Sequence, residues 1–369
     1  MRPADRGGCV APPGQVHPDE GAQGYPIVRR RNKRGGAPVG APKSAGENRA
    51  LRCNRYGSSV PRLPVTEIPV LSLRRVVSLT AASTEIVCAL ECGDRLVGRG
   101  PECDFPSGVR RLPVVGPRPS APAAAPLRRS ARPRTKLLDR AALAALAPDL
   151  VLARRLEELG RQSAARALSA PDASPRVLEF APGQLADLWR DMRRISEALG
   201  VPERGVQLVT RLVRRLRAIA ERTQELTRPR VLLLEAIEPA VVAGWWLPEL
   251  VSFAGAEPQL ISPGEPPGVR PWTRIREADP DVVVFAPRGD DLARARERWR
   301  EAAAAGARLL ELRATRHGGL VLADGGGTFH RPGPRVAETL EILAEALHPE
   351  AFRFGHEGRG WERWRPVPR

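Results

Sequence analysis

The sequence predicts an α/β protein with two Rossmann-like lobes, each built on a parallel sheet, joined by a long backbone helix. Short apolar runs alternate with amphipathic segments in both halves of the chain, which is typical of parallel sheets covered by helices. A long uninterrupted helical pattern separates the two sets of runs. The first set also opens with a βαβ unit, whose strand-to-helix turn is where open α/β sheets receive ligands.

That βαβ unit lies between Arg75 and Pro106. Its first apolar run stops before a turn of small residues, and Ser83 is the predicted N-cap of the helix that follows, because its hydroxyl can accept a hydrogen bond from a free backbone N–H. Gly93 is predicted to end the helix. Thr80, Ala82 and Ser83 are therefore candidate ligand-binding residues at the turn.

The rest of the chain divides into regions by composition and periodicity. We predict a disordered basic tail rich in Pro, Gly and Arg over residues 1–70, an N-terminal α/β lobe over 74–182, connecting helices over 183–227, a C-terminal α/β lobe over 230–350, and a polar tail over 351–369. Apolar residues at 3.6-residue spacing indicate the connecting helices. The second of them would be roughly 35 Å long at 1.5 Å per residue, enough to connect two lobes.

Charge and cysteine content restrict the class of protein. The net charge is +17, but the arginines are scattered and alternate with acidic residues, so we attribute the excess to GC-rich codons and predict no nucleic-acid partner. There is no apolar run long enough for a membrane span, and residues 1–40 lack the apolar core of a signal peptide. Five cysteines without an even framework indicate free thiols. We therefore expect a cytoplasmic protein, or an exported one if the start codon lies further downstream.

Several motifs resemble the class III (Fe/B12-type) periplasmic substrate-binding proteins of ABC importers, and the cobalamin-binding branch most of all. The resemblance covers roughly residues 74–352 and is carried by motifs in the family's order. They are the strand and turn of residues 75–86, Glu102-Cys103-Asp104-Phe105-Pro106, Pro148-Asp149-Leu150-Val151-Leu152, Trp246-Leu247-Pro248-Glu249-Leu250-Val251, Asp279-Pro280-Asp281-Val282-Val283-Val284, Arg331-Pro332-Gly333-Pro334-Arg335, and the final helix with Leu347-His348-Pro349-Glu350.

The resemblance implies non-enzymatic binding of cobalamin or a related corrinoid in a cleft between the lobes. Trp272, in a Pro-Trp setting, and more loosely Trp246 would stack on the ligand. Other candidates lie on predicted loops of the second lobe: Trp245, Phe329, His330 and Arg331. His330 is either a metal ligand or a hydrogen-bonding loop residue, and we predict no metal centre and no catalytic cofactor.

Two alternatives remain open at this point. Ferric-siderophore binding on the same fold would use Arg270, Arg331 and Arg335 for an anionic chelate. A degenerate scaffold or regulatory protein would instead use its basic tail to contact a partner. No Ser/His/Asp order, G-x-S-x-G turn or HExxH motif indicates an enzyme. We expect a monomer whose partners are a small-molecule ligand and an ABC permease.

Overall fold

The computed structural model describes residues 73–116, 140–154 and 175–365, all of which lie in the compact unit Thr66–Arg369. The tail predicted over residues 1–70 lies outside the described residues. The helices are α1 (Ala81–Ala89), α2 (Arg140–Leu146), α3 (Leu185–Ala198), α4 (Pro202–Arg222), α5 (Leu247–Phe253), α6 (Trp272–Ala278), α7 (Leu292–Ala304), α8 (Arg313–Arg316) and α9 (Val336–Leu347). The strands are β1 (Val76–Ser78), β2 (Leu96–Arg99), β3 (Leu150–Ala153), β4 (Arg176–Glu179), β5 (Arg230–Ala236), β6 (Val241–Val242), β7 (Glu257–Pro258), β8 (Gly268–Val269), β9 (Val282–Phe285), β10 (Leu320–Ala323) and β11 (Trp361–Trp364).

These strands form two sheets, and we call the parts of the chain that carry them lobe 1 and lobe 2. The sheet of lobe 1 has the order β2-β1-β3-β4 with every pair parallel, as the sequence predicts. Its central strands are fully buried and, apart from Ser78, apolar, because helices cover both faces of such a sheet. The α/β class of the fold is confirmed.

The helix after β1 begins earlier than predicted. Thr80, not Ser83, is the N-cap: it has an extended backbone, and its Oγ1 accepts a hydrogen bond from the Ser83 N–H at 3.2 Å. The Ser83 side chain is instead buried inside the first turn, where its hydroxyl lies 2.6 Å from the Ser78 Oγ. Both residues have the chemistry of a cap, and the backbone conformation decides between them.

Two antiparallel helices, α3 and α4, connect the lobes in the predicted place. Gly200 separates them with a positive φ of 69°, and Pro202 begins α4. The buried stripe of α4 includes Leu208, Leu212 and Leu216. Val206, which the periodicity assigns to this stripe, is exposed to solvent.

The sheet of lobe 2 corrects the prediction of a purely parallel arrangement. Its order is β11-β10-β9-β5-β6-β8, with β7 on β5, and β6, β8 and β11 run antiparallel to their neighbours. The turn between β5 and β6 spans only Ile237 to Ala240, and so short a connection can join only antiparallel strands. The parallel core of this sheet is β10-β9-β5.

The predicted polar tail after residue 351 is instead part of the lobe up to residue 365. Strand β11 pairs with all four residues of β10. Trp361 is buried, and its indole N–H donates to Glu345 Oε2 at 3.1 Å. The Trp364 ring meets the Trp299 ring edge to face, with 5.3 Å between centroids.

Candidate functional site

Loops that follow the parallel strands of the two lobes contact each other, and we call this region the interlobe junction. In lobe 1 it includes the turn after β1, the loop after β2 and Arg154 after β3. In lobe 2 it includes Glu235 near the end of β5, Arg288 after β9, and the loop between β10 and α9. Burial raises the pKa of Glu235, and the positive charges of Arg288 and, from lobe 1, of Arg154 oppose this, so the Glu235 and Arg154 side chains of different lobes are close.

Arg331 makes the most direct contact across the junction. Its Nη1 donates to Glu85 Oε1 at 3.0 Å and to Asp104 Oδ1 at 2.6 Å, and both acceptors belong to lobe 1. Its Nε donates to the Gly326 carbonyl at 2.5 Å within its own loop. The guanidinium is therefore fixed by lobe 2 and paired with lobe 1.

The two carboxylates differ in environment. The Glu85 side chain is 2% exposed, and burial raises its pKa to about 7, even though Arg331 favours its charged form. The Asp104 side chain is 42% exposed; burial opposes its ionisation, but the hydrogen bond and charge of Arg331 outweigh this and lower its pKa. Glu85 Oε2 is buried without a hydrogen-bond partner.

A tight turn, Gly325–Phe329, places Arg331. Asp324 begins the turn, with its Oδ1 accepting from the Gly327 N–H at 2.6 Å and its carbonyl accepting from the Thr328 hydroxyl at 2.9 Å. The glycines are required sterically, because a Cβ on Gly325 would lie 2.0 Å from the Pro287 carbonyl oxygen. The sequence indicates only a flexible glycine turn at this position. Phe329 is fully buried under the loop.

His330 is buried behind the junction. Its Nε2 lies 2.7 Å from the Ala286 carbonyl oxygen, and since a carbonyl only accepts, Nε2 carries the proton. Burial, together with the charge of Arg288, lowers the pKa of His330 to about 3. Its Nδ1 lies 3.5 Å from Glu235 and has no hydrogen-bond partner. The ring is therefore neutral and turned inward, not toward a ligand. Among the described residues no group of three or more His, Cys, Asp and Glu side chains is arranged to hold a metal ion.

The tryptophans do not line the junction as a set. Trp246 and Trp272 are 3% and 6% exposed and pack into two different hydrophobic clusters, so neither offers a broad face for stacking. Trp272 lines a shallow cavity of about 320 Å³ beside the β5–β6 turn. Trp245 is only partly buried and has a positive φ of 59°. Its ring lies against Gly183 of the loop after β4, where an added Cβ would be 3.6 Å from ring atom Cε3.

The structure thus brings together the turn of Thr80, Ala82 and Ser83 with Arg331, and places Trp245 on the other side of the junction. The Thr80 and Ser83 hydroxyls bond to each other at 2.8 Å, and Ala82 is buried, so the turn shapes the wall of the junction. Residues without a predicted role also lie here: Glu85, Asp104, Phe105, Arg154, Glu235 and Arg288. Of these, Glu85, Asp104 and Phe105 belong to motifs that the sequence singles out, and Arg154, Glu235 and Arg288 do not.

Comparisons with known proteins agree with this architecture. A model of the family described as "Periplasmic binding protein" matches residues 76–309. The uncharacterized ABC transporter substrate-binding lipoprotein YvrC of Bacillus subtilis is 23% identical over 293 residues, which are 76% of this chain and 82% of that protein.

Solved structures show the same fold. A periplasmic heme binding protein from Pseudomonas aeruginosa superposes with a TM-score of 0.57 at 25% identity, covering 76% of this chain and 94% of that one. The periplasmic vitamin B12 binding protein BtuF of Vibrio cholerae superposes with a TM-score of 0.55 at 18% identity, covering 75% of this chain and 97% of that one.

These findings contradict the cytoplasmic location expected from the sequence. The matched family is periplasmic, and the Bacillus subtilis relative is a lipoprotein. The expectation was wrong because it depended on the hydropathy of residues 1–40, which lie outside the matched fold. Within the described residues, no helix is both long and apolar enough to cross a bilayer.

Proposed function

Because the chain belongs to the periplasmic binding protein family, the non-enzymatic substrate-binding components of ABC importers, we propose that it binds a corrinoid such as cobalamin at the interlobe junction. The family implies a permease as the partner that receives the ligand. A heme binding protein and a vitamin B12 binding protein have the same fold, so the fold alone does not identify the ligand. The residues of this chain have to distinguish between the two classes. The junction residues favour a ligand with little net charge and with its own axial metal ligands.

The pairing of the arginines at the junction carries the proposal. Arg288 binds Glu235 through two hydrogen bonds of 3.2 and 2.9 Å, Arg331 binds Glu85 and Asp104, and Arg335 binds Glu338 at 2.9 Å. A strongly anionic ferric siderophore, or a heme with two propionates, must displace these carboxylates. A corrinoid carries mainly neutral amides and a single phosphodiester, so it can bind with most of the pairs kept.

The supply of iron ligands also favours a corrinoid over heme. Residues 57–316, which include the whole of lobe 1, contain neither His nor Tyr. In lobe 2, both nitrogens of His330 are buried, and its Nε2 is bonded to a carbonyl. Burial raises the pKa of the Cys103 thiol to about 11, so it is not a thiolate ligand at neutral pH. A corrinoid needs no axial ligand from these side chains.

Titration of the purified protein with cyanocobalamin, hemin and the strongly anionic ferric enterobactin tests the proposal. We expect saturable quenching of tryptophan fluorescence by micromolar cyanocobalamin, corrected for absorbance with free tryptophan. Trp245→Leu should weaken binding by about fivefold, since it removes an aromatic contact that contributes about 1 kcal/mol. Trp364→Leu is the matched control, because that ring is also partly buried and packs against Trp299 within lobe 2. Saturation by hemin or ferric enterobactin instead, or by none of the three, would contradict the proposal.

A further inference from the structure

Different chemistry holds the two sides of the interlobe junction. On the side that we call the ionic flank, Arg331 and Arg335 of lobe 2 meet Glu85, Asp104 and Phe105 of lobe 1. The Arg335 guanidinium carbon lies 4.6 Å from the centre of the Phe105 ring, and that ring is 45% exposed. The outer contacts of this flank are therefore open to water and to salt.

The opposite side, which we call the apolar flank, lies where α3 begins. Leu185 and Leu188 of α3 lie in the hydrophobic core cluster that also contains Trp246 and Leu250 of lobe 2, and Gly183, just before α3, lies directly against the Trp245 ring. The Leu185 N–H also donates to Glu249 Oε2 at 2.8 Å. Since α3 leads into α4, the chain itself also joins the lobes on this side.

We propose that Arg331 is a latch: the two lobes separate at the ionic flank and pivot about the apolar flank. Separation of the ionic flank returns charged groups to water, which compensates much of the lost attraction. Separation of the apolar flank would expose core side chains with no such compensation. The ionic flank is therefore the side that opens, whichever ligand the junction holds.

Two further hydrogen bonds indicate that Arg331 and Arg335 form their contacts with lobe 1 together. The Nε of Arg331 is bonded to the Gly326 carbonyl and the Nη1 of Arg335 to the Gly327 carbonyl, so the loop of lobe 2 holds both guanidinium groups in place before they meet lobe 1. The two acceptors of Arg331, Glu85 and Asp104, lie on different elements of lobe 1. One side chain thus joins lobe 2 to both α1 and the loop after β2.

Amide hydrogen exchange, read by mass spectrometry on the full chain without ligand, tests the latch. In Arg331→Met, peptides covering residues 79–90 and 325–335 should exchange about tenfold faster, while peptides covering 185–192 and 247–253 keep their rates. About 1 M salt should accelerate the same peptides of the wild type less than the substitution does, because salt screens the exposed Asp104 contact but little of the buried Arg331–Glu85 pair. Arg296→Met is the matched control, since Arg296 pairs with Glu362 inside lobe 2.

A cross-link provides an independent measurement. A Cβ on Gly333 would lie 3.5 Å from the Ala82 Cα, close enough for a disulfide between Ala82→Cys and Gly333→Cys. Oxidation should slow exchange at the ionic flank, and reduction should restore it. The single Gly333→Cys variant, oxidised in parallel, controls for pairing with native Cys88. Equal acceleration of both flanks in Arg331→Met, or an unchanged ionic flank after oxidation, would overturn the proposal.

Discussion

Replacement of Arg331 with methionine should lower the free energy of unfolding by about 3 kcal/mol at pH 8 and by clearly less at pH 5. The substitution leaves the Glu85 carboxylate buried without a counter-ion, which is among the more costly changes that a folded protein can undergo. The charged and titratable groups that face Glu85 are Arg331, Arg335, Asp104 and Cys88.

The direction of the pH dependence follows from the pKa of Glu85. Burial raises it from 4.5 in the unfolded chain to about 7 in the folded protein. Between these values the folded state holds a proton that the unfolded state has lost, so the contribution of Glu85 to stability falls as the pH rises. Loss of Arg331 raises the folded pKa further, and the added cost is therefore felt above about pH 7. At pH 5 Glu85 is already neutral in the folded protein.

Urea denaturation at the two pH values measures this effect. Glu85→Gln combined with Arg331→Met should recover about 1 kcal/mol of the loss at pH 8, because the buried charge is then absent and one pH unit above the pKa corresponds to about 1.4 kcal/mol. Arg296→Met, which breaks a more exposed pair inside lobe 2, should cost less than about 1 kcal/mol at either pH. An equal cost of Arg331→Met at pH 5 and pH 8 would show that Glu85 is not the group left unpaired.

Gly325→Ala should destabilise the protein by about 3 kcal/mol, at the upper end for overpacking. The new Cβ would lie 2.0 Å from the Pro287 carbonyl oxygen and 2.6 Å from its carbon, and neither backbone atom can rotate away as a flexible side chain would. The turn that carries Arg331 must shift instead. Loss of the Arg331 contacts with lobe 1 should therefore accompany the loss of stability.

Thermal unfolding of Gly325→Ala and Gly108→Ala compares a crowded glycine with an open one. Gly108 has no heavy atom within 4 Å of the position of an added Cβ, and its φ is not positive. Its replacement should change the free energy of unfolding by no more than about 0.5 kcal/mol. Similar transitions for both variants would mean that the turn at Gly325 relaxes freely.

Much of the fold could be predicted from local patterns. Buried runs such as Leu150–Ala153 give strands, and 3.6-residue spacing gives α3 and α4. The N-cap of α1 was misplaced by three residues because Thr80 and Ser83 offer equivalent hydroxyls. Strand β11 was missed because its sequence, Trp-Glu-Arg-Trp, contains as many charged as apolar residues and so resembles a polar tail. Its pairing depends on the burial of Trp361, which local sequence does not determine.

The site was harder to predict because its partners are distant in the sequence. Arg331 lies 246 residues from Glu85 and 227 from Asp104, and no periodicity connects such positions. The loop setting of Trp246 and Trp272 favoured exposure, but local sequence does not determine whether a loop indole turns outward or packs beneath its own sheet. His330 illustrates the same point, since its inward orientation depends on the Ala286 carbonyl of another strand end.

Strand β11 also determines which strand forms the exposed edge of the lobe 2 sheet. Without it, β10, whose four residues are all apolar and buried, would be the outermost strand. With it, the border is a four-residue strand that carries Glu362 and Arg363, and Arg296 holds the Glu362 carboxylate. Short, charged margins of this kind discourage strand addition from neighbouring molecules. We therefore expect the segment Trp361–Trp364 to lower the tendency of the protein to self-associate through this sheet.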